Sequence, residues 1–275
     1  MIAQLPVLAL AVSVALAAPS RTHSSPSVRR SDIPHDEVVG FDTTVADDTE
    51  GDLMLQWQPD LKVVDGCVPF PAVDAEGNTS AGLSPTGTPS GDCSNSTGQV
   101  YSRAGTYDDY YMIMYSWYMP KDEPSEIEGE LGIGHRYDWE NAVVVLSSES
   151  TNATLVGIAA SYHGDYKVCS GTGCDDYLDG DTPLIKYYTA YGILDHSLGF
   201  TSTVGGTQPL VAWDELPTVA QEALANKDWG CKLLRIGDAR SEVHSLIRDT
   251  TAAIVPFLDS DFESYLEEAA GYLDL

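Results

Sequence analysis

Six short apolar runs, at residues 110–119, 142–146, 154–162, 183–188, 200–204 and 209–213, dominate the middle of the chain. Each is rich in β-branched and aromatic residues, and clusters of Gly, Asp, Ser and Pro separate them. Such runs are too short and too often broken for a helical core, and they match the strand pattern of an all-β protein. In 112–118, Ile113, Tyr115 and Trp117 recur at the strand period and share one face. The pattern predicts helices only in the C-terminal third. One is expected over 218–226, led in by Trp213-Asp214-Glu215-Leu216-Pro217, with acids and a proline where the helix dipole favours them. A second is expected over 261–272, opened by the capping-box pattern Ser260-Asp261-Phe262-Glu263, with Phe262, Leu266 and Ala269 on one face. No linker, repeat or low-complexity boundary divides residues 31–275. The expected fold is therefore mainly β: a single-domain antiparallel β-sandwich with a few peripheral helices.

Charge narrows the partners. Across 275 residues, 43% hydrophobic and 20% charged content describes a globular chain. Forty-two acidic residues against 14 basic ones give a formal charge of −28. A surface of that sign repels phosphate backbones, so no nucleic-acid partner is expected. Contact with anionic lipid would need specific recognition or a bridging cation. Residues 1–18 read as a secretory signal peptide: an apolar run from Leu5 to Ala18 ends near Ala15-Leu16-Ala17 and, at ~14 residues, is too short to span a bilayer. Residues 19–30 read as a pro-segment ending at the dibasic pair Arg29-Arg30. Its removal takes three bases and no acid, leaving 11 bases against 42 acids and a charge of −31. No later run is long and apolar enough to be transmembrane. A secreted, extracellular monomer is expected.

The cysteines fit that compartment. Cys67 and Cys93 bracket a Gly/Ser/Thr/Pro-rich loop that a disulfide would hold. Cys169 and Cys174 enclose Ser-Gly-Thr-Gly, flexible enough for a local bridge. Cys231 is left over. A metal–thiolate site is the alternative, although the spacings repeat no zinc-ribbon pattern. Asn78, Asn95 and Asn152 stand in glycosylation sequons.

The chemistry concentrates in the heptad Gly134-His135-Arg136-Tyr137-Asp138-Trp139-Glu140. One histidine among carboxylates is a hard, oxygen-dominated ligand set, suited to Ca²⁺, Mg²⁺ or Mn²⁺ more than to structural zinc. Asp138 and Glu140, two apart, would share a strand face. His135 would come from the preceding loop, where Gly132 and Gly134 permit tight turns. Asp122, beyond the strand 110–119, would supply a fourth ligand. A metal-assisted or acid–base hydrolase using Asp138 and Glu140 is the competing reading. Against it, the chain has neither a Gly-x-Ser-x-Gly elbow nor a His-Glu-x-x-His helix.

With these residues in view, the chain resembles the secreted necrosis- and ethylene-inducing-peptide-like proteins of plant-associated microbes. The heptad nearly repeats their signature Gly-His-Arg-His-Asp-Trp-Glu, with Tyr137 in place of the second histidine. Ile113-Met114-Tyr115-Ser116-Trp117-Tyr118-Met119-Pro120-Lys121-Asp122, Cys67-Val68-Pro69-Phe70-Pro71-Ala72-Val73-Asp74 and His196-Ser197-Leu198 are also similar. The resemblance implies an actinoporin- or fungal-lectin-like sandwich that is not an enzyme. It implies a divalent cation, Ca or Mg, held by Asp122, His135, Asp138 and Glu140. It further implies that Asp74, Asn78, His163, Asp195 and His196 bind the headgroup of plant glycosyl inositol phosphoryl ceramide. Tyr191, Ile193 and Leu194 would form a membrane-facing loop, and a host plant immune receptor would be a further partner. A non-cytolytic, lectin-like relative is the alternative function. Besides Tyr137, the chain departs from the family in three places: the loop 191–194 lacks a tryptophan, and insertions appear at 125–132 and 231–251.

Overall fold

A computed structural model describes residues 31–131, 134–190, 195–230, 257 and 259–275. The expected signal peptide, the pro-segment, residues 191–194 and the insertion 231–251 with Cys231 lie outside the described residues. Twelve strands are described. They are β1 (Asp32–Ile33), β2 (Asp60–Val63), β3 (Thr79–Ser80), β4 (Val100–Tyr107), β5 (Tyr110–Asp122), β6 (His135–Leu146), β7 (Leu155–Tyr162), β8 (Asp165–Ser170), β9 (Leu178–Asp179), β10 (Thr182–Thr189), β11 (His196–Phe200) and β12 (Leu210–Ala212). The helices are α1 (Thr49–Gln56), α2 (Glu126–Glu130), α3 (Thr218–Asn226) and α4 (Asp259–Tyr272).

The large sheet runs β12-β4-β5-β6-β7-β8, and the smaller one runs β11-β10-β2 with β9 beside β10. β11 packs on β6 and β7 and so lays the small sheet over the large one. The two-layer, mainly β expectation holds. Strict antiparallel order does not: β1 with β3, β2 with β10 and β4 with β12 pair in parallel.

Every residue of β5 from Tyr111 to Asp122 is buried, because both faces of the strand are covered. On the Ile113-Tyr115-Trp117 side, α1 and the small sheet close over it; the Tyr115 hydroxyl donates to the Met54 carbonyl at 2.9 Å. On the other side, Tyr118 packs against Tyr137, Trp139 and Trp229, and Phe262 of α4 lies under Gly105 of β4. A fully buried strand shows no alternation, which is why β5 reads as a continuous apolar run.

The two C-terminal helices form where expected, and Phe262, Leu266 and Ala269 are buried. Confinement of helices to that third is corrected by α1 and α2. α1 begins where the Asp48 side chain accepts from Gly51 N at 3.1 Å, satisfying a helix-end donor; Leu53 and Met54 then turn inward. Position 51 demands glycine, since a Cβ there would stand 1.9 Å from the Ala46 carbonyl oxygen. The strand expected at 200–204 lies earlier, as β11. Disulfides join Cys67 to Cys93 and Cys169 to Cys174.

Candidate cation site between the sheets

β5 and β6 run in one register from Tyr111 opposite Leu146 to Asp122 opposite His135. Along an ordinary strand, residues three apart face opposite sides, so His135 and Asp138 would diverge. Tyr137 breaks that alternation with a φ of 64°. His135, placed by its sequence in a loop, is the first residue of β6 instead. Its Nε2 lies 3.7 Å from Asp122 Oδ2, and ligand atoms of Asp122, His135 and Asp138 all lie within 4.8 Å of one another.

The same backbone twist turns the Tyr137 carbonyl to His135 Nδ1, at 2.8 Å. A carbonyl only accepts, so Nδ1 carries the proton and Nε2 is left facing the carboxylates. Burial works against a charge on this ring, but Asp122, Asp138 and Asp195 outweigh it and raise the His135 pKa.

His196 holds Asp122 from the other side. Its Nδ1 lies 2.5 Å from Asp122 Oδ1, and its backbone N donates to Oδ2 at 2.8 Å. Its Nε2 lies 3.1 Å from Asp65 Oδ1, and the ring stacks on Tyr187 at 4.6 Å. Burial opposes the imidazolium, yet the hydrogen bonds to Asp122 and Asp65 push its pKa up to about 10. His196 is therefore a buried cation between two carboxylates. Among the described residues, Asp138 has no such ion pair. Burial, with Asp122 beside it, raises its pKa to about 7, although Tyr187 donates to its Oδ2 at 2.7 Å. Two buried carboxylates and an imidazole nitrogen, converging with more negative than positive charge, fit a hard divalent cation.

Glu140 lies outside that trio. It shares the Asp138 face of β6, but it is buried and its Oε2 accepts from the Ser161 hydroxyl. Of the residues expected to bind a headgroup, His196 belongs to the cluster and Asp195 acts on His135 through its charge. His163 sits in the β7–β8 turn with a φ of 51°, edge-on to Tyr162. Asp74 and Asn78 form a separate constellation. Asp74 Oδ1 accepts from Asn78 N at 2.8 Å, and Oδ2 accepts from Asn78 Nδ2 at 2.9 Å. Among the described residues, no hydrogen bond or ion pair joins them to Asp122, His135 or Asp138. Tyr191, Ile193 and Leu194 fall outside the described residues.

Sequence reasoning missed Asp65, Gly66, Ser161, Tyr187 and Thr189. Only the Asp65-Gly66 pair carries a local signal. Gly66 has a φ of 80°, and a Cβ there would stand 2.5 Å from His196 Nε2, so position 66 must be glycine for the histidine to fit.

The family model for necrosis inducing protein (NPP1) matches residues 51–269. The chain belongs to this family. It is 42% identical to NLP effector protein 1 of Phytophthora capsici over 86% of this chain and 90% of that protein. Among solved structures, it resembles one titled "NLPPya in complex with mannosamine". That match has 41% identity and a TM-score of 0.71, covering 86% of this chain and 98% of the other. It also resembles "Crystal structure of non-toxic HaNLP3 protein", with 33% identity and a TM-score of 0.72, over 86% of this chain and 98% of that one. The family fold therefore includes a member whose title calls it non-toxic and one bound to an amino sugar. At these identities and TM-scores, both relatives share the mainly β fold of the present chain.

Proposed function

We propose that this chain is a secreted, cation-dependent effector that binds sugar headgroups of plant plasma-membrane sphingolipids, glycosyl inositol phosphoryl ceramides among them. The observation that carries the reading is the trio of buried Asp122 and Asp138 with half-buried His135, whose ligand atoms converge within 4.8 Å. A bound Ca²⁺ or Mg²⁺ would supply a positive contact for an anionic headgroup on a protein of charge −28. Asp122 and Asp138 would hold the cation, and His135 would present Nε2. His196 would fix the Asp122 carboxylate, and Tyr187 would fix Asp138. Glu140 stands one strand step further along and would join only through a shift away from Ser161. The amino sugar named with one structural relative supports a carbohydrate contact here. The two disulfides support an oxidising, extracellular setting.

Headgroup binding without membrane damage is the second reading. The non-toxic relative favours it, as does the absence of tryptophan from 191–194. Dye release from vesicles containing plant sphingolipids, with calcium or magnesium and then with chelator, separates the two. Cation-dependent leakage supports the cytolysin, and binding without leakage supports the second reading. Neither binding nor leakage would sink the headgroup assignment.

A further inference from the structure

Residues alternate across β10, so Tyr187 and Thr189 line the cation cluster while Lys186 and Tyr188 face away from it. On that outer face, Lys186 Nζ lies 4.4 Å from the centre of the Tyr188 ring. Lys167 reaches the same ring from β8, at the edge of the large sheet. Its Nζ lies 5.2 Å from the Tyr188 centroid and 3.8 Å from that of Tyr162, and it donates to the Tyr188 hydroxyl. Gly199, opposite Lys186 in β11, leaves the room for this: a Cβ there would stand 3.0 Å from Tyr188 Cε1 and 3.5 Å from Lys186 Cε.

Both ammonium groups therefore crowd one ring, within about a Debye length of each other. Among the described residues neither takes part in an ion pair, although the chain has three acids for every base. The tyrosine rings hold the charges in place without cancelling them. All four side chains remain partly exposed, so the charges are open to an approaching anion. Tyr188 directly precedes Thr189, whose hydroxyl lies 3.2 Å from His196 Nε2. A surface that engaged the cation cluster at this end of β10 would meet the lysines on its other face.

We propose that Lys167 and Lys186, positioned by Tyr162 and Tyr188, form a second anion contact that takes phosphate groups of membrane lipid. It rests on the lipid-binding reading above, to which it adds a cation-independent point of attachment. Lysine suits the role because phosphate binds it as a point charge, with no bidentate geometry required.

The test is co-sedimentation of the full chain, in calcium, with phosphatidylcholine vesicles with and without phosphatidic acid. Relative to the unaltered protein, Lys167→Gln/Lys186→Gln is expected to bind the phosphatidic acid vesicles about tenfold more weakly. Lys167→Arg/Lys186→Arg retains binding, and Lys227→Gln, which removes a charge from the aromatic side of β6, leaves it unchanged. Calcium affinity by calorimetry and the melting temperature stay constant in the Gln double variant. Equal sedimentation of the Gln double variant and the unaltered protein overturns the proposal. Release of the protein by low-millimolar inorganic phosphate also overturns it, by marking a free-phosphate pocket. Failure of the cation reading shows separately, as an absence of calcium heat in the unaltered protein. The comparison between the two proteins on phosphatidic acid decides the lysine contact either way.

Discussion

The two faces of β6 are built from the same seven residues and hold together by opposite means. On one face, Tyr137 and Trp139 join Tyr118 and Trp229 in a cluster with ring centroids 5.3–6.4 Å apart. Lys227 caps it at 4.8 Å from Tyr137 and 5.1 Å from Trp229. On the other face, Asp138 and Glu140 are as buried as the tryptophan, and they accept hydrogen bonds from Tyr187 and Ser161. Apolar surface stabilises by being removed from water, so packing holds the aromatic face even though, among the described residues, the Trp139 indole N–H finds no acceptor. Buried carboxylates lose solvation, and Asp138, whose pKa is raised by burial and by Asp122 beside it, would gain from a counter-charge. The aromatic face therefore carries stability, and the carboxylate face contributes to the candidate cation site.

That division can be broken from either side. Trp139→Ala is expected to have the largest effect, about 3–5 kcal/mol of folding stability from cavity and transfer terms, read as a fall in melting temperature. The folded fraction should still bind calcium, and added calcium should raise its melting temperature by mass action. If the aromatic face also positioned the ligands, that calcium response would vanish. Asp138→Asn should do the reverse, lowering calcium affinity by at least about 100-fold in calorimetry while the cation-free protein keeps its near-ultraviolet circular dichroism. Retained affinity would mean that the ligands lie elsewhere.

Gly66→Ala probes the support behind the ligands. With a φ of 80° and His196 Nε2 2.5 Å from the new Cβ, it should displace the imidazolium and cost about tenfold in calcium affinity. It should also lower stability by ~1–3 kcal/mol. An unchanged affinity would show that His196 does not orient Asp122. The smallest effect is expected from Tyr137→His, because the group that holds His135 is the carbonyl of residue 137 and not its ring. Calcium affinity should stay within about threefold, the scale of an unperturbed outer-shell contact. A larger loss would place the ring in the site.

The heptad was legible because its ligands lie close in sequence and their residue types imply hard-cation chemistry. Its geometry was legible only in part. The even spacing of Asp138 and Glu140 gives a shared face, but the ladder pairs Asp122 with His135, and the twist at Tyr137 turns His135 towards Asp138. A left-handed tyrosine leaves no trace in sequence pattern, since the residue type disfavours that conformation. Asp65, Ser161 and Tyr187 were invisible for another reason: each reaches the site from a strand or loop remote in sequence. In the same way, β5 was plain from its apolar run. β4, Val-Tyr-Ser-Arg-Ala-Gly-Thr-Tyr, was missed because its small and polar residues owe their strand state to pairing with β5. α1 escaped because eight residues with one aspartate cap give little periodicity to read.

Asp122 and His135 are the last rung of the β5–β6 ladder, so their separation is set by the spacing between strands. The ladder, more than the length of the connection, sets that spacing. Loop closure depends only weakly on length, at about 0.6 kcal/mol for each doubling. The connection can therefore gain or lose sequence while the ligands stay in place, and in this chain it has room for α2. The hairpin tip is thus a point where evolution can alter what surrounds the candidate site without rebuilding the residues that form it.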